Sequence, residues 1–592
     1  MKKLLIPALF IVFVLLSTNL PAQKYAVYFT DKNNTPYSID NPEQFLSQRV
    51  SNSCGAGTPP PPPPLHAPQY AVHFKDKANS PYSIQHPLEY LSQRAIDRRA
   101  RYEIAVTEDD LPVNPFYIER VSMTGAYVSA SSRWSNSVLV YAEEEMLNAI
   151  QNLDFVEKVV YVKPAEGKFH QYDIHPKWKH EQYDLSYQTK SDFEYGYALA
   201  QIQQLNGVTV HKHGYTGEGV LIAVLDGGFQ KANEVTGLAH LFESGRIVLE
   251  SNVVEPGKSI YDETISNHGT VVLSCMGGFL EGEYVGTAPL ASYALIRTED
   301  TPTEYLIEEY FWMIGAEIAD EIGADILNSS LSYSTFDDPA MDHQHSDLDG
   351  RTAIASIAAK MAAARGIFNT VSAGNSNGSD FPWVGAPADT PEALTLGAVD
   401  LYGNIAYFSS LGPNGAGDPK PDVVACGSGA FVLLPNNGIG TASGTSFSSP
   451  ITCGMVACVI QAAPTKTPAQ IMEAVQKSAN RYPQHHIQYG YGIPNFGKVL
   501  QLLGVLSVEN MNHPSNLIYY PIPVKDRLYL RNDTKTIRNV ELYDIAGKLV
   551  KNVPAGTHQT FVDVEGIGAG FLFVKVIYDD GACEVVKGVV SR

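Results

Sequence analysis

The stretch Ile222-Ala223-Val224-Leu225-Asp226-Gly227-Gly228 is an apolar run that ends abruptly in a carboxylate and two glycines. Continuous apolar runs of this kind are typical of strands that are buried on both faces of a parallel sheet. Similar runs recur at 324–331 and 366–371, and helical patterns such as 304–323 and 446–463 alternate with them. The alternation predicts an α/β fold in which helices cover both faces of a parallel sheet.

Two further motifs stand at the start of predicted helices. Asn267-His268-Gly269-Thr270 opens one helix, and Ser443-Gly444-Thr445-Ser446-Phe447-Ser448-Ser449-Pro450 opens another. Sites in open parallel sheets form at the carboxyl ends of the strands, where Asp226 is expected to lie. A serine hydroxyl is a poor nucleophile unless a histidine takes its proton, and a buried aspartate fixes the tautomer of that histidine. The pattern predicts Asp226, His268 and Ser446 as a catalytic triad.

A tetrahedral oxyanion would need hydrogen-bond donors beside the serine. Ser446 at a helix N-terminus has a free backbone N–H and a favourable helix dipole. Asn375, which follows a buried strand in Val371-Ser372-Ala373-Gly374-Asn375, is predicted to supply a side-chain amide. Taken singly, these residues have plainer interpretations as turn or cap residues or as an ordinary histidine. Their joint occurrence and order favour catalysis.

Length and charge exclude several classes of protein. A chain of 592 residues exceeds a single hydrophobic core, so several domains are expected. A net charge of −21 argues against a nucleic-acid partner, which demands a basic face.

The six cysteines form no CxxC pair. Cys275, Cys453 and Cys458 lie in apolar helical contexts and are predicted to be small core residues, with a disulfide in an oxidising compartment as the alternative.

The N-terminus has the pattern of a signal peptide over residues 1–22. Lys2 and Lys3 precede an apolar run at 4–16, and Leu20-Pro21-Ala22 supplies the cleavage region. As a helix the run would be about 20 Å long, which is short for a bilayer core of about 30 Å. A retained membrane anchor is the alternative interpretation.

Residues 24–49 and 69–94 are repeats of one another, identical at 16 of 26 positions. Between them stand six consecutive prolines at 59–64, a composition typical of a polyproline II spacer. Residues 23–68 are therefore interpreted as a partial duplicate followed by a linker. Only the second copy continues into a longer segment.

The remaining segments differ in pattern. Residues 69–165 predict a small α+β unit, with strands at 70–74, 134–142 and 155–162 and helices at 87–101 and 143–153. Residues 166–194 are polar and lack periodicity, which predicts an exposed linker suited to proteolysis. Residues 195–505 hold the α/β pattern, and 515–592 predict a small β-sandwich from short strands separated by Gly, Asn and Asp turns.

The motifs around Asp226, His268, Asn375 and Ser446 resemble the subtilisin-like (subtilase, S8) serine peptidases over about 195–505. The order Asp, His, Ser is also that of this family. The resemblance implies a serine endopeptidase that hydrolyses peptide bonds through an acyl-enzyme intermediate.

The same resemblance implies a set of substrate-binding residues. In the family a Ser-Leu-Gly stretch binds the substrate backbone as an added strand and forms a wall of the S1 pocket. The corresponding residues, together with the pair before Asn375, are Ser330, Leu331, Ser332, Ala373 and Gly374. Ser332 stands in the place of the family's glycine.

Two flanking segments carry their own resemblances. Residues 134–162 resemble the family's inhibitory propeptide, and residues 70–99 resemble its start, so 69–165 is expected to be that propeptide. This implies a zymogen whose own propeptide blocks the cleft. Residues 520–523 and 540–548 resemble a type IX secretion sorting domain, although Ile522 replaces its usual asparagine. This implies the type IX machinery as a partner, export through the periplasm, and a secreted or cell-surface protein acting on protein or peptide substrates.

No cofactor is expected for the chemistry, although structural calcium occurs in many subtilases. His343, His345, Asp347 and Asp349 could hold a cation, but a solvated loop is favoured because no full ligand set is present. The alternative function is a surface-displayed binding protein on the same scaffold that has lost catalysis. The presence of all four catalytic positions favours the enzyme.

Overall fold

A computed structural model of the chain describes residues 67–165, 193–506, 517–521, 523–544, 548–581 and 583–591. The predicted signal peptide, the first repeat copy, the linker up to residue 192 and Ile522 lie outside the described residues. No helix within the described ranges has both the length and the apolar character that a membrane span requires.

The N-terminal unit is a four-stranded sheet with three helices. Its elements are β1 (Gln69–Phe74), α1 (Gln93–Arg101), α2 (Pro115–Ser122), β2 (Tyr127–Ser132), β3 (Ser137–Tyr141), α3 (Glu144–Gln151) and β4 (Val156–Lys163). The strand order is β2-β3-β1-β4, and β1 pairs antiparallel with both of its neighbours. A core that includes Val72, Val138, Val140 and Ile150 holds the unit together.

One helix predicted in this unit is wrong over its first half. Only a short 3-10 turn forms at Pro87–Glu89, and α1 begins at Gln93. The reason is local, because the side chain of Ser92 accepts a hydrogen bond from the Ala95 amide and so caps the helix there. The sequence also gave no sign of α2 or β2.

The central unit is built on the predicted parallel sheet. Its strands are β5 (Leu221–Asp226), β6 (Ile247–Asn252), β7 (Phe279–Leu280), β8 (Tyr284–Val285), β9 (Ser292–Arg297), β10 (Ile326–Ser329), β11 (Phe368–Ser372), β12 (Ala393–Val399), β13 (Val423–Cys426), β14 (Ala430–Leu433) and β15 (Ile439–Ala442). Seven of them form one sheet in the order β13-β12-β11-β10-β5-β9-β6, with every neighbouring pair parallel.

Nine helices of the described residues accompany these strands. They are α4 (Leu199–Gln204), α5 (Gly207–Lys212), α6 (Ala239–Glu243), α7 (His268–Gly277), α8 (Ile307–Ile322), α9 (Ile354–Ala364), α10 (Thr445–Ala462), α11 (Pro468–Ser478) and α12 (Phe496–Leu502). Helix α10 contributes to the core on one face of the sheet, and α8 and α9 contribute to the core on the other face. The predicted α/β fold with helices on both faces is confirmed.

The apolar run at 221–225 is divided between these two cores. Ile222 and Val224 lie in one core, while Leu221, Ala223 and Leu225 lie in the other. Successive side chains of a strand point to opposite faces, so a strand covered on both sides must be apolar throughout. All six residues of β5 are buried. This explains why the run shows no alternation.

The C-terminal unit consists of two antiparallel sheets around one core. Its strands are β16 (Leu517–Tyr520), β17 (Arg527–Asn532), β18 (Ile537–Tyr543), β19 (Leu549–Thr557), β20 (Gln559–Asp563), β21 (Gly570–Tyr578) and β22 (Cys583–Val590). The sheets are β16-β17-β20 and β19-β18-β21-β22. The predicted β-sandwich is confirmed, although the sequence did not indicate β16 or β22.

The cysteines of the described residues are unpaired. Cys275, Cys426, Cys453 and Cys458 are buried with free thiols, and Cys583 is exposed. The prediction that Cys275, Cys453 and Cys458 are small core residues is confirmed, since all three lie in the largest core.

Replacing Ile222 with alanine tests the role of β5 as the centre of the sheet. The side chain is fully buried, so the cavity left behind should cost about 2–5 kcal/mol and lower the Tm by about 5–15 °C. Val248→Ala is the control, because Val248 lies in β6 and is half exposed. Thermal unfolding measures both, and an equal small shift in the two variants would contradict this account.

Candidate active site

Asp226 is the last residue of β5 and is fully buried. Its Oδ1 accepts hydrogen bonds from the Gly227 amide at 2.8 Å and from His268 Nδ1 at 2.7 Å. Its Oδ2 is buried and accepts no hydrogen bond from the described residues. A buried carboxylate needs such partners to remain charged, so the imidazole and the amide stabilise the negative charge at this sheet edge.

His268 is the first residue of α7, and its helix starts very close to the strand end. The Gly269 amide donates to the Gly228 carbonyl at 2.9 Å. A Cβ atom at Gly269 would lie 2.5 Å from that oxygen, so the position requires glycine. This close approach brings the imidazole onto Asp226.

The environment of His268 sets its proton affinity and its tautomer. Burial acts to lower the pKa of the imidazole, but the charge of Asp226 and its hydrogen bond raise the pKa by more, to a value above the usual 6.5. Because Nδ1–H donates to Asp226, the acceptor lone pair of the neutral ring lies on Nε2. Nε2 is therefore the atom that is able to accept a proton.

Ser446 lies in the first turn of α10, next to a ring that approaches His268. The Phe447 and His268 ring centroids are 6.2 Å apart. Ser446 Oγ donates to the Ser330 carbonyl at 3.3 Å, and the hydrogen bonds of the described residues include none from it to the imidazole. Oγ must approach Nε2 before a proton is transferred, and catalytic contacts often tighten only when substrate binds.

Asn375 lies in the loop after β11, and Thr445 holds its amide in place. Asn375 Oδ1 accepts hydrogen bonds from Thr445 N at 2.9 Å and Thr445 Oγ1 at 3.0 Å. The opposite end, Nδ2, faces Gly444. An atom at the ideal Cβ position of Gly444 would lie 3.5 Å from Asn375 Nδ2 and 3.7 Å from Ser446 N. Two nitrogen atoms that carry N–H groups therefore lie near one point beside the serine.

Thr445 is a site residue whose role the sequence analysis missed. Besides fixing Asn375, its Oγ1 accepts a hydrogen bond from the Gly374 amide at 3.1 Å. The hydroxyl thus ties the loop after β11 to the start of α10. The signal was present in Gly-Thr-Ser, but it resembles an ordinary helix cap.

The predicted substrate-binding residues lie side by side at the ends of β10 and β11. Ser372 Oγ donates to the Leu331 carbonyl at 3.3 Å, and Ala373 donates its amide to the Leu396 carbonyl at 2.9 Å. Ser330 is buried, and its Oγ donates to the Ser446 carbonyl at 2.9 Å. The structure thus brings this stretch against the start of α10.

The hydroxyl of Ser332 is accommodated by two glycines. Its Oγ lies 2.9 Å from the ideal Cβ position of Gly374 and 2.4 Å from that of Gly385. A side chain at either glycine would collide with it. Gly374 also has a φ of +96°, which favours glycine independently. Ser332, which stands where the family pattern has glycine, is therefore accommodated because the residues that its hydroxyl faces, Gly374 and Gly385, have no side chains.

The structure does not bring His343, His345, Asp347 and Asp349 together as a cation site. His343 Nε2 bonds Glu309 Oε1 at 2.5 Å, whereas His345 stacks on Trp383 with centroids 4.4 Å apart. The two aspartates accept hydrogen bonds from nearby backbone amides. Each side chain stabilises its own part of the loop.

A different acidic cluster lies close to Asp226. One ligand atom from each of Glu299, Glu304 and Glu308 falls within 4.8 Å of the others. Both oxygens of Glu308 already accept backbone amides, and Glu299 accepts the Tyr333 hydroxyl. Since calcium takes six to eight oxygen ligands, these residues fit it poorly. Burial and mutual repulsion instead raise the pKa of Glu299 and Glu308 well above the usual value.

Comparison with known proteins agrees with this geometry. The profile described as "Subtilase family" matches residues 217–493. The profile "Peptidase S8 propeptide domain, Bacteroidota" matches 69–177, and "Secretion system C-terminal sorting domain" matches 518–591. These three matches follow the three structural units in order.

Individual relatives match the central unit. Subtilisin NAT of Bacillus subtilis subsp. natto is 30% identical over 300 residues, covering 50% of this chain and 69% of the relative. Subtilisin of Bacillus pumilus is 29% identical over 300 residues, covering 50% of this chain and 95% of the relative. Serine protease AprX of Bacillus subtilis (strain 168) is 29% identical over 311 residues, covering 47% and 66%.

A parallel sheet whose edge carries a bonded aspartate–histidine pair beside a helix-initiating serine is the architecture of a subtilisin-type hydrolase. The chain belongs to the subtilase family. It is a subtilisin-like serine peptidase with an S8 propeptide domain, and its sorting domain marks it for secretion or the cell surface.

The charge of Asp226 can be tested through the pKa of His268. In Asp226→Asn the negative charge that raises the pKa of His268 is gone, while the burial that lowers this pKa persists. The pKa of His268 should therefore fall to 6.5 or below. NMR titration of the imidazole measures this, with the signal assigned from a His268→Gln variant. Asp262→Asn is the control, because this exposed carboxylate lies in the loop before α7 and should leave the pKa unchanged. An unshifted pKa in Asp226→Asn would refute the assignment.

Proposed function

We propose that the chain hydrolyses peptide bonds through an acyl-enzyme on Ser446, with Asp226 and His268 completing the triad. The observation that carries the proposal is the 2.7 Å hydrogen bond from His268 Nδ1 to the buried carboxylate, which leaves Nε2 as the base. Nε2 removes the proton of Ser446 Oγ as this oxygen attacks the substrate carbonyl. His268 then returns the proton to the leaving amine, and a water molecule hydrolyses the ester by the same proton route.

The negative oxygen of the tetrahedral intermediate is proposed to bind between Asn375 Nδ2 and Ser446 N. Both donors lie within 3.7 Å of one point beside Gly444. Thr445 holds Asn375 Oδ1 by two hydrogen bonds, so the amide is oriented before the charge develops. Preorganised donors of this kind stabilise the transition state more than the ground state.

Substrate is proposed to bind in an extended form along Ser330–Ser332 and Ala373–Gly374. These residues flank the reacting atoms, because Ser330 contacts Ser446 through both its carbonyl and its hydroxyl. An extended peptide uses backbone hydrogen bonds for affinity and side-chain pockets for selectivity. The Ser332 hydroxyl, which lies against Gly374 and Gly385, is proposed to shape the pocket for the residue before the scissile bond.

The proposed division of the chain follows from the same scheme. Residues 69–165 act as the intramolecular inhibitor of the peptidase domain at 195–505, and 515–592 engage the type IX secretion machinery. Residues 1–22 are proposed as the signal peptide and 166–194 as the segment cut during maturation. The proposed chemistry uses only protein groups and water, and structural calcium stays a separate prediction.

Removing the nucleophile tests the central assignment. Ser446→Ala should lower turnover of peptide substrates by about four to six orders of magnitude, because the acyl-enzyme is no longer able to form. Ser379→Ala, an exposed loop serine, should leave turnover unchanged. Undiminished hydrolysis by Ser446→Ala would sink the proposal.

A fluorophosphonate probe separates the enzyme from a binding protein on the same scaffold. Matured wild-type protein should be labelled at Ser446, as read by peptide mass spectrometry, and Ser446→Ala should not. Matured protein that remains unlabelled would favour the binding protein.

The oxyanion donor can be tested on its own. Asn375→Ala should lower kcat by about 10²–10³ with little change in KM, because the amide acts on charge that exists only in the transition state. Asn377→Ala is a matched control in the same loop, where Nδ2 donates to the Tyr407 carbonyl at 2.6 Å. Equal effects of the two variants on kcat would show that Asn375 has no special role.

A further inference from the structure

A buried ionic cluster joins the propeptide unit to helix α8 of the peptidase unit. Its centre is Asp320, which is fully buried in the last part of α8. Both of its oxygens accept from the Arg99 Nη2, at 3.1 and 2.9 Å. Arg133 Nη2 donates to Oδ2 at 2.8 Å, and Arg98 Nη2 donates to Oδ1. Three guanidinium groups of the propeptide unit therefore meet on a single carboxylate.

These arginines come from two separate elements of the propeptide unit. Arg98 and Arg99 lie in α1, and Arg133 lies in the turn between β2 and β3. All three are buried. They contact one carboxylate only when the helix and the turn have the correct relative placement. The cluster therefore forms only with a propeptide that is correctly folded as well as positively charged at these positions.

In a second ion pair at the same contact, the peptidase unit supplies the arginine and the propeptide unit supplies the carboxylate. Arg365 of the peptidase unit donates through Nε to Asp110 Oδ1 of the propeptide unit at 2.6 Å. Arg99 also donates to Asp110 Oδ1, at 3.0 Å. Arg98 Nε donates to the Arg365 carbonyl at 3.1 Å. Carboxylates and arginines from both units thus form one continuous network.

Charges of both signs are closely packed in this network. Four guanidinium groups surround the two carboxylates of Asp320 and Asp110, and Glu321 Oε2 lies 3.9 Å from Arg133 Nη1. Nε and Nη1 of Arg99 and Nε of Arg133 are buried and donate no hydrogen bond to the described residues. Loss of one negative partner from a buried cluster is far more costly than loss of an exposed pair. The contact should therefore depend strongly on Asp320.

The neighbouring charged contact differs in its exposure. Arg94 and Arg101 both pair with Asp325, and the side chains of these arginines are 42% and 32% exposed. Solvent-exposed pairs contribute little and are screened by salt. The two sites offer the same residue types at the same contact, so they provide a matched comparison.

We propose that Asp320 is the recognition residue through which the peptidase domain selects and retains its own propeptide after the chain has been cut. The proposal rests on the proposed role of residues 69–165 as inhibitor, and it adds the residue that decides how long inhibition lasts. Apolar contact between a sheet and helices tolerates many partners, whereas three arginines from two elements that converge on one buried carboxylate admit few.

The test follows the cut propeptide in the full chain as it matures. Wild type, Asp320→Asn, Arg133→Gln and the control Arg101→Gln are compared by native mass spectrometry for the fraction of peptidase that still carries its propeptide over time. Asp320→Asn and Arg133→Gln should release the propeptide about 100-fold faster than wild type. Arg101→Gln should change release by less than about fivefold.

The proposal would be overturned if the Arg133→Gln variant released its propeptide no faster than the Arg101→Gln variant. This variant decides the matter even if Asp320→Asn misfolds, because the peptidase domain it leaves behind is chemically wild type. The proposal would be supported if Arg133→Gln enzyme reached full activity sooner than wild type and had the wild-type kcat once matured.

Failure of the proposed function gives a different result. Retention is also measured on Ser446→Ala chains that carry the same substitutions and are nicked by limited proteolysis between the two units. A wild-type chain that matures but hydrolyses nothing would refute the proposed enzyme activity, while the retention of propeptide in these nicked chains would still report on Asp320.

Discussion

A carboxylate buried at the end of a central strand is the constraint on which the rest of the site depends. Asp226 is fully buried, and a buried charge without partners is unstable by several kcal/mol. His268 supplies the principal partner at 2.7 Å, so α7 must begin at this sheet edge. That position in turn requires Gly269, since a Cβ atom there would overlap the Gly228 carbonyl. The base, its tautomer and the start of its helix follow from one hydrogen bond.

Buried charge is used in two contrasting ways in this molecule. At Asp226 the partners belong to the same folded unit as the carboxylate. At Asp320 the partners are arginines from the propeptide unit, so the proposed release of that unit would remove them. A buried ion cluster is a weak source of stability, and in some proteins it sets the specificity of a contact. This property suits a contact that must be specific and yet temporary.

Much of the fold could be predicted because its causes are local or periodic. The strand at Leu221–Asp226 follows from an unbroken apolar run, and the helices that begin at His268 and Thr445 follow from motifs next to apolar segments. The helix expected over 87–101 failed because the Ser92 side chain caps a later start. Strands β16 and β22 at the borders of the C-terminal unit were not indicated by the sequence pattern either, although each pairs with its neighbour in the chain, β17 and β21.

The sequence by itself determined the residue types of the site, their order and the fold that carries them, because these follow from apolar patterning and from motif chemistry. Only the tertiary structure decided that Ser446 Oγ bonds the Ser330 carbonyl, that Thr445 orients Asn375, and that Ser332 faces two glycines. It alone placed three distant arginines on Asp320. The reason is physical: side-chain rotamers and ion pairs depend on atoms that the chain brings together from remote positions, and no local pattern records them.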